Sequence, residues 1–263
     1  MCGRFAVTTD PARLAVQLDA VDETGSGGLR APNYNVAPST DIAAVVARHD
    51  DPNDRDDPND RDDPATRRIR LMRWGLVPPW AKAGPDGAPQ AKGPQLINAR
   101  AETVTTTPAY RTAAKHKRCL IPMDGYYEWK PAAGDVGANP KRGRKTPYYF
   151  YRPDGAPLLV AGLWSVWRAE GASEGLLTCT VITTGAVGEF AAVHDRMPLS
   201  LAEADWNRWL DPDAPAPMDL LAAAPDVGPI AMREVSTLVN NVANNGPELI
   251  KASECDNQPV GLF

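Results

Sequence analysis

The chain opens Met1-Cys2-Gly3-Arg4-Phe5. Removal of Met1 would make Cys2 the amino terminus, with a free α-amine and a thiol on neighbouring carbons. Such a pair can attack one electrophilic carbon twice, which no internal cysteine can do. Two other tripeptides repeat the pattern of a polar or reactive side chain followed two positions later by arginine: Asn98-Ala99-Arg100 and His194-Asp195-Arg196. On an extended chain residues i and i+2 share a face. Cys2 with Arg4, Asn98 with Arg100, and His194 with Arg196 are therefore each expected on one side. Around Asn98 the same rule turns Ile97, Ala99 and Ala101 one way and Asn98, Arg100 and Glu102 the other. Guanidiniums grip phosphate through charge-assisted, bidentate hydrogen bonds. Three such segments lining one cleft would suit a reacting carbon flanked by phosphates, such as one in a nucleic-acid backbone. Taken singly, Asn98 also fits a turn or polar network, and His194, like His49 and His116, a structural or solvated role.

A carboxylate completes the set. In Gly125-Tyr126-Tyr127-Glu128-Trp129-Lys130, a strand would place Tyr126 and Glu128 on one face and Tyr127 and Trp129 on the other. Among aromatic rings Glu128 would lose water, its pKa would rise, and it would suit proton transfer. The alternative is a cross-strand salt bridge to a nearby Lys or Arg. The stretches Arg73–Trp80 and Asn35–Pro38 are rich in aromatic residues and proline. Trp74 is expected to pack in the core, whereas Trp80 and Pro38 are open to packing or to stacking against bases.

These groups need elements to position them. A helix is predicted over TDPARLAVQLDA, capped by Thr9 or Asp10, with Pro11 at its first position and Leu14, Val16 and Leu18 as apolar members. YNVAPST reads as a loop. DIAAVVARH, RRIRLMRWGLVP, CLIPMDGYYEWK, TPYYFYRP, PLLVAGLWSVW and GLLTCTVITT read as strands. Further helices are expected near PAYRTAAKHKR and in LAEADWNRWLD, the latter with Trp206, Trp209 and Leu210 as its apolar face. Long loops fall at 84–95 and 134–145. Strands dominate, without a βαβ rhythm, which predicts a largely antiparallel α+β fold.

Composition narrows the classes. Of 263 residues, 43% are hydrophobic, enough for a packed core, and 26 prolines point to many irregular connections. No apolar run is long enough for a transmembrane helix and no signal segment opens the chain, so a cytoplasmic protein is expected. Cys2, Cys119, Cys179 and Cys255 form no CxxC pair and no metal-ligand spacing with histidine, so no metal is expected. Cys119 and Cys179 read as buried strand residues, and Cys255 as incidental in a polar tail. The net charge of −5 is misleading. Residues 50–64, DDPNDRDDPNDRDDP, hold eight Asp and two Arg, and the rest of the chain sums to +1. This insertion has no apolar residue and is expected to be disordered or extended. A second reading makes it an acidic arm that mimics DNA.

Together the stretches MCGRF, YNVAP, RWGLVPPW, LINARAET, GYYEWK, HDRMP and VNNVANNGPELI, in order along nearly the whole chain, resemble the SOS-response-associated peptidase (SRAP) family. The resemblance implies one domain over 1–263, a β-rich α+β fold with a DNA-binding cleft around the amino terminus. It implies a sensor of abasic sites in single-stranded DNA that crosslinks to them through Cys2 as a thiazolidine. The peptidase activity it implies is mainly self-removal of Met1. Carried over by motif, Glu128 moves protons and His194 protonates the sugar oxygen or assists at the imine. Asn98 holds the Cys2 amine or the sugar. Arg4, Arg100 and Arg196 hold flanking phosphates, joined by Thr183, while Pro38, Trp80 and Trp129 splay or stack bases. No cofactor, no membrane and a monomer are expected, nucleoid-associated when bound to DNA. The rivals are a glutaminase with an amino-terminal cysteine nucleophile and a non-catalytic single-stranded DNA-binding module.

Overall fold

The β-branched and apolar runs of the chain pack well on pleated surfaces and form its strands. The structure is a computed structural model and describes residues 2–25, 31–49, 65–90, 93–131, 145–225 and 227–253. The acidic repeat at 50–64, residues 134–144 of the second long loop, and Cys255 lie outside these. The described strands are β1 (Phe5–Val7), β2 (Ala20–Asp22), β3 (Asn33–Val36), β4 (Asp41–Arg48), β5 (Thr66–Trp74), β6 (Asn98–Arg100), β7 (Arg118–Met123), β8 (Gly125–Pro131), β9 (Lys145–Tyr151), β10 (Leu158–Trp167), β11 (Leu176–Gly185), β12 (Arg196–Pro198) and β13 (Ala231–Glu234). The α-helices are α1 (Pro11–Gln17), α2 (Arg111–His116), α3 (Glu203–Leu210) and α4 (Met218–Ala222).

One sheet, antiparallel throughout, runs β13-β9-β8-β1-β3. The other runs β12-β11-β10-β7-β4-β5-β2, with β6 added in parallel on β11. Strand β5 also pairs in parallel with β11 at Arg73 and Trp74, so β11, β10, β7, β4 and β5 close into a small barrel. The fold is α+β and mostly antiparallel, as expected. Both faces of β4, β7, β10 and β11 are covered, which explains their nearly continuous apolar runs, whereas β5 alternates arginine with apolar residues and is only partly buried. On β4, Ala43 and Val45 join Leu14 of α1 and Trp209 of α3. Ile42, Ala44 and Val46 join Phe5, Tyr126 and Phe150 of the first sheet. Cys119 and Cys179 are buried thiols on β7 and β11.

Several expectations need correcting. Helix α1 is capped by Asp10, whose carboxylate accepts the Ala12 N–H at 2.8 Å, but it ends at Gln17. Asp19 takes φ 47° and the chain turns into β2. Val16 is 84% exposed, because on a helix Leu14 and Leu18 share a face that residue 16 does not. YNVAPST is not all loop, since its first residues lie in β3, where Val36 pairs with Phe5. CLIPMDGYYEWK is two strands in different sheets. The break falls at Asp124, whose carboxylate accepts the Thr8 N–H at 2.7 Å and the Thr8 hydroxyl at 2.5 Å. Gly125 then passes so close to β9 that a Cβ there would sit 2.3 Å from the Phe150 carbonyl oxygen, so only glycine fits. Strand β9 starts at Lys145, one residue inside the expected loop. Helix α4 carries no sequence signal that we identified.

The helices are tied to the barrel by one buried cation. Arg118, 2% exposed, donates to the carbonyls of Trp209, Ala114, Lys115, Asp211 and Ala214, where α2 and α3 end. Arg118→Met should strand these acceptors. We expect a loss of about 3 kcal/mol or more and a melting temperature lower by roughly 10 °C, read by thermal unfolding.

Candidate active site

The edge of β6 brings the first two groups together. Strand β6 pairs with β11 through Val181–Asn98 and Thr183–Arg100. Trp74, fully buried and edge-on to Phe5 at 4.9 Å, donates from its indole to the Ile97 carbonyl at 2.9 Å. The Tyr110 hydroxyl donates to the Asn98 carbonyl at 3.0 Å. With its backbone held on both sides, Asn98 aims its amide inward and Nδ2 donates to the Cys2 carbonyl at 2.8 Å. Its Oδ1 is buried and has no hydrogen-bond partner among the described residues. The alternation around Asn98 is as expected for Ala99 and Ala101, which are buried, and for Arg100 and Glu102, which are exposed.

Strand β8 delivers the carboxylate. Regular antiparallel pairing with β9 places Tyr126 in the cluster that holds Cys2, and Tyr127 and Trp129 in the opposite one. Glu128 is 3% exposed. Burial pushes its carboxyl up to about 7, against the pull of the amino-terminal charge. The Cys2 thiol, wholly buried in the chain that carries Met1, is pushed well up by burial and then by the Glu128 charge. Near neutral pH it is a thiol and needs a base.

His194 follows a short 3-10 turn, Gly188–Ala192, and precedes β12. Its Nε2 is 4.0 Å from Glu128 Oε2. Nδ1 lies 3.0 Å from the Arg196 N–H and 2.9 Å from Asp195 Oδ1. Burial, then the amino-terminal charge, lowers its pKa, so the ring is neutral at pH 7. In that form Nδ1 accepts from Arg196 and Nε2–H faces Glu128; when protonated, Nδ1–H turns its charge to Asp195. Of this pair Glu128 is buried and the imidazole is the member that meets solvent. Cys2, Asn98, Glu128 and His194 therefore share one place, with a carboxyl and an imidazole able to pass protons beside a thiol.

The arginines are less uniform than the tripeptide pattern suggests. Cys2 and Arg4 do not share a face. Residues 2–4 precede β1, so strand alternation does not govern them. Cys2 belongs to the buried cluster of Phe5 and Tyr126, while Arg4 donates to Asn35 Oδ1 at 2.7 Å and the Val239 carbonyl at 3.0 Å. The Arg196 guanidinium holds both oxygens of Glu102, at 2.6 and 3.0 Å, and also meets Thr183. Thr183 is fully buried, with its hydroxyl 3.5 Å from the Ala99 carbonyl, so it offers no surface to a phosphate and instead backs Arg196. Arg100 is exposed on β6.

Trp80 is 58% exposed and stands over a cleft of about 410 Å³ formed with Arg73, Leu76, Lys82, Gln90 and Gln95. The loop at 84–95 supplies part of this wall. None of Cys2, Glu128 and His194 lines it, although Leu96 at its edge leads directly into Ile97 and Asn98. Pro38 is half-buried in the turn between β3 and β4. Trp129 donates to Asn240 Oδ1 at 2.7 Å.

Two residues escaped the sequence reading. Asn35 is 4% exposed and its amide donates to the carbonyls of Val239, Asn241 and Asn244, fastening the carboxy-terminal segment beside Arg4. An asparagine inside the apolar YNVAP was the available signal. Tyr126 shares the Cys2 cluster, and its place on the Glu128 face was visible, though its hydroxyl was not singled out.

The family model of SOS response associated peptidase (SRAP) matches residues 1–242, and the chain belongs to that family. It is 35% identical over 254 residues to the abasic site processing protein YoaM of Bacillus subtilis, covering 96% of this chain and 98% of that one. It is 30% identical over 283 residues to the abasic site processing protein HMCES of Xenopus tropicalis, covering 96% and 78%. A solved protein from Bacteroides thetaiotaomicron shares the fold with a TM-score of 0.73 at 20% identity, covering 96% of this chain and all of that one. Among the described residues no helix is long and apolar enough to cross a membrane, and no cluster of His, Cys, Asp and Glu could hold a metal ion.

Proposed function

We propose that this chain processes abasic sites in single-stranded DNA by capturing them covalently on Cys2 after its own removal of Met1, acting as one domain over 1–263. The observation that carries this reading is the convergence on Cys2 of an Asn98 hydrogen bond and a buried Glu128 with its pKa near 7, 4.0 Å from His194. The relatives named as abasic site processing proteins support the substrate.

In this reading Asn98 Oδ1 takes a hydrogen bond from the freed Cys2 amine. An α-amine has an ordinary pKa of about 7.7–8, so part of it is neutral near pH 7. It adds to the C1 aldehyde of the ring-opened abasic sugar, and the carbinolamine loses water to an iminium. His194 assists sugar opening, and protonated Glu128 helps the hydroxyl leave. The carboxylate form of Glu128 then takes the thiol proton. The sulfur pair forms the C–S bond, and the C=N π pair returns to nitrogen, closing a five-membered ring. Arg100 holds a flanking phosphate directly. Arg196 does so by exchanging Glu102 for phosphate, and Arg4 steadies the segment ahead of β1 that carries Cys2. Trp80 with its cleft, Pro38 and Trp129 meet neighbouring bases.

Intact mass tests the reading. Protein purified without Met1 and incubated with a single-stranded oligonucleotide bearing one abasic site should gain the oligonucleotide mass less one water, and keep it after denaturation. No mass gain, with ammonia released from glutamine instead, would favour the glutaminase. Binding that denaturation fully reverses would favour the non-catalytic module.

A further inference from the structure

The steps above leave one buried group beside Cys2 idle. Tyr126 lies two residues before Glu128 on the same face of β8 and is paired in register with Phe5. Its ring stacks on Phe150 with centroids 4.7 Å apart and planes 6° from parallel. It is 2% exposed, and its hydroxyl has no hydrogen-bond partner among the described residues. A phenylalanine would stack equally well without burying an unsatisfied hydroxyl. The stack fixes the ring plane, leaving only the O–H free to rotate. Two other donors near Cys2 are committed, Asn98 Nδ2 to the Cys2 carbonyl and Arg4 to Asn35 and Val239.

We propose that Tyr126 is a further catalytic residue, whose O–H donates a hydrogen bond to the Cys2 sulfur while negative charge builds there during ring closure. This rests on the reading of Cys2 as the capturing nucleophile. The phenol fits the task because burial, with the charges of Cys2 and Glu128, raises its pKa well above the usual range, so it keeps its proton. Burial raises the thiol as well, so negative charge on the buried sulfur gains from a hydrogen-bond donor. No proton leaves Tyr126 in the step. The thiol proton goes to the Glu128 carboxylate, the sulfur pair forms the C–S bond, and the iminium π pair returns to nitrogen.

The test uses Met1-free protein, wild type and Tyr126→Phe, with a single-stranded oligonucleotide carrying one abasic site. Borohydride trapping measures the imine, and denaturing gels without reductant measure the closed adduct. In the variant the imine should form at the wild-type rate and closure should slow at least tenfold. Its closure-rate profile should shift to higher pH, while the melting temperature stays level or rises. A merely structural role would not split the two steps. Closure at the wild-type rate, or equal slowing of both steps, overturns the role of Tyr126 alone. A wild type that forms no Cys2-dependent adduct overturns the underlying function as well.

Discussion

Cys2→Ala, freed of Met1, should form no denaturation-resistant adduct with abasic single-stranded DNA, yet should still yield an imine that borohydride traps. Alanine keeps the α-amine, which Asn98 still positions through the backbone carbonyl at 2.8 Å. The first addition and the loss of water therefore survive. What disappears is the second nucleophile. In the wild-type chain that thiol is tethered to the imine nitrogen through two carbons, and well-oriented intramolecular attack carries an effective molarity of about 10⁵ M or more. No external thiol at millimolar concentration replaces it. Cys2→Ser should resemble alanine, because its hydroxyl is a much weaker nucleophile and Glu128, with a pKa near 7, cannot deprotonate it usefully. Both variants should fold, since each only shortens or lightens one side chain in a large cluster. The comparison by denaturing gel, with and without borohydride, separates amine chemistry from thiol chemistry. A stable adduct of wild-type yield from Cys2→Ala would assign capture to another residue.

The parts of this site that the sequence made legible are those governed by period-2 alternation. GYYEWK placed Glu128 with Tyr126 and opposite Trp129 because β8 is a regular strand between β1 and β9. LINARAET placed Asn98 and Arg100 opposite Ala99 for the same reason. Alternation says nothing where there is no strand, and Cys2 and Arg4, ahead of β1, accordingly part company. It also says nothing about partners far along the chain. Glu102 claims Arg196 from 94 positions away, and Asn35 claims carbonyls more than 200 positions away. Barrel closure rests on two residue pairs between β5 and β11, a parallel contact with no local signature. The break at Asp124 was hidden because MDG sits between two strand-like runs, and only the Thr8 contacts make it a turning point. The reactive residues were thus visible as types in motifs, while their surroundings depended on long-range contacts.

Glu128→Gln should slow formation of the closed adduct by about 10²–10³-fold and remove one limb of its pH dependence. In the wild type two groups titrate near neutrality. Glu128, held at about 7 by burial, must be ionised to take the thiol proton, so closure rises with pH through that value. The amine, near 7.7–8 when unperturbed, must be neutral to attack. Glutamine matches the shape of the carboxyl but accepts no proton, so the variant should keep only the higher, amine-controlled rise. The same substitution should act oppositely on stability. A carboxyl whose folded pKa is raised from 4.5 to about 7 binds its proton more tightly in the folded chain. Its favourable contribution is complete below pH 4.5 and is lost as pH rises through 7. At pH 8 the ionised, buried Glu128 therefore costs on the order of 3 kcal/mol relative to a neutral group. Glu128→Gln should accordingly raise the melting temperature at pH 8 and change it little at pH 4. A variant that crosslinks poorly and melts higher only at alkaline pH would identify Glu128 as a destabilising charge retained for proton transfer. Unchanged melting at pH 8 would instead mean that the carboxylate is solvated or ion-paired, and that the pH limb of the reaction belongs to another group.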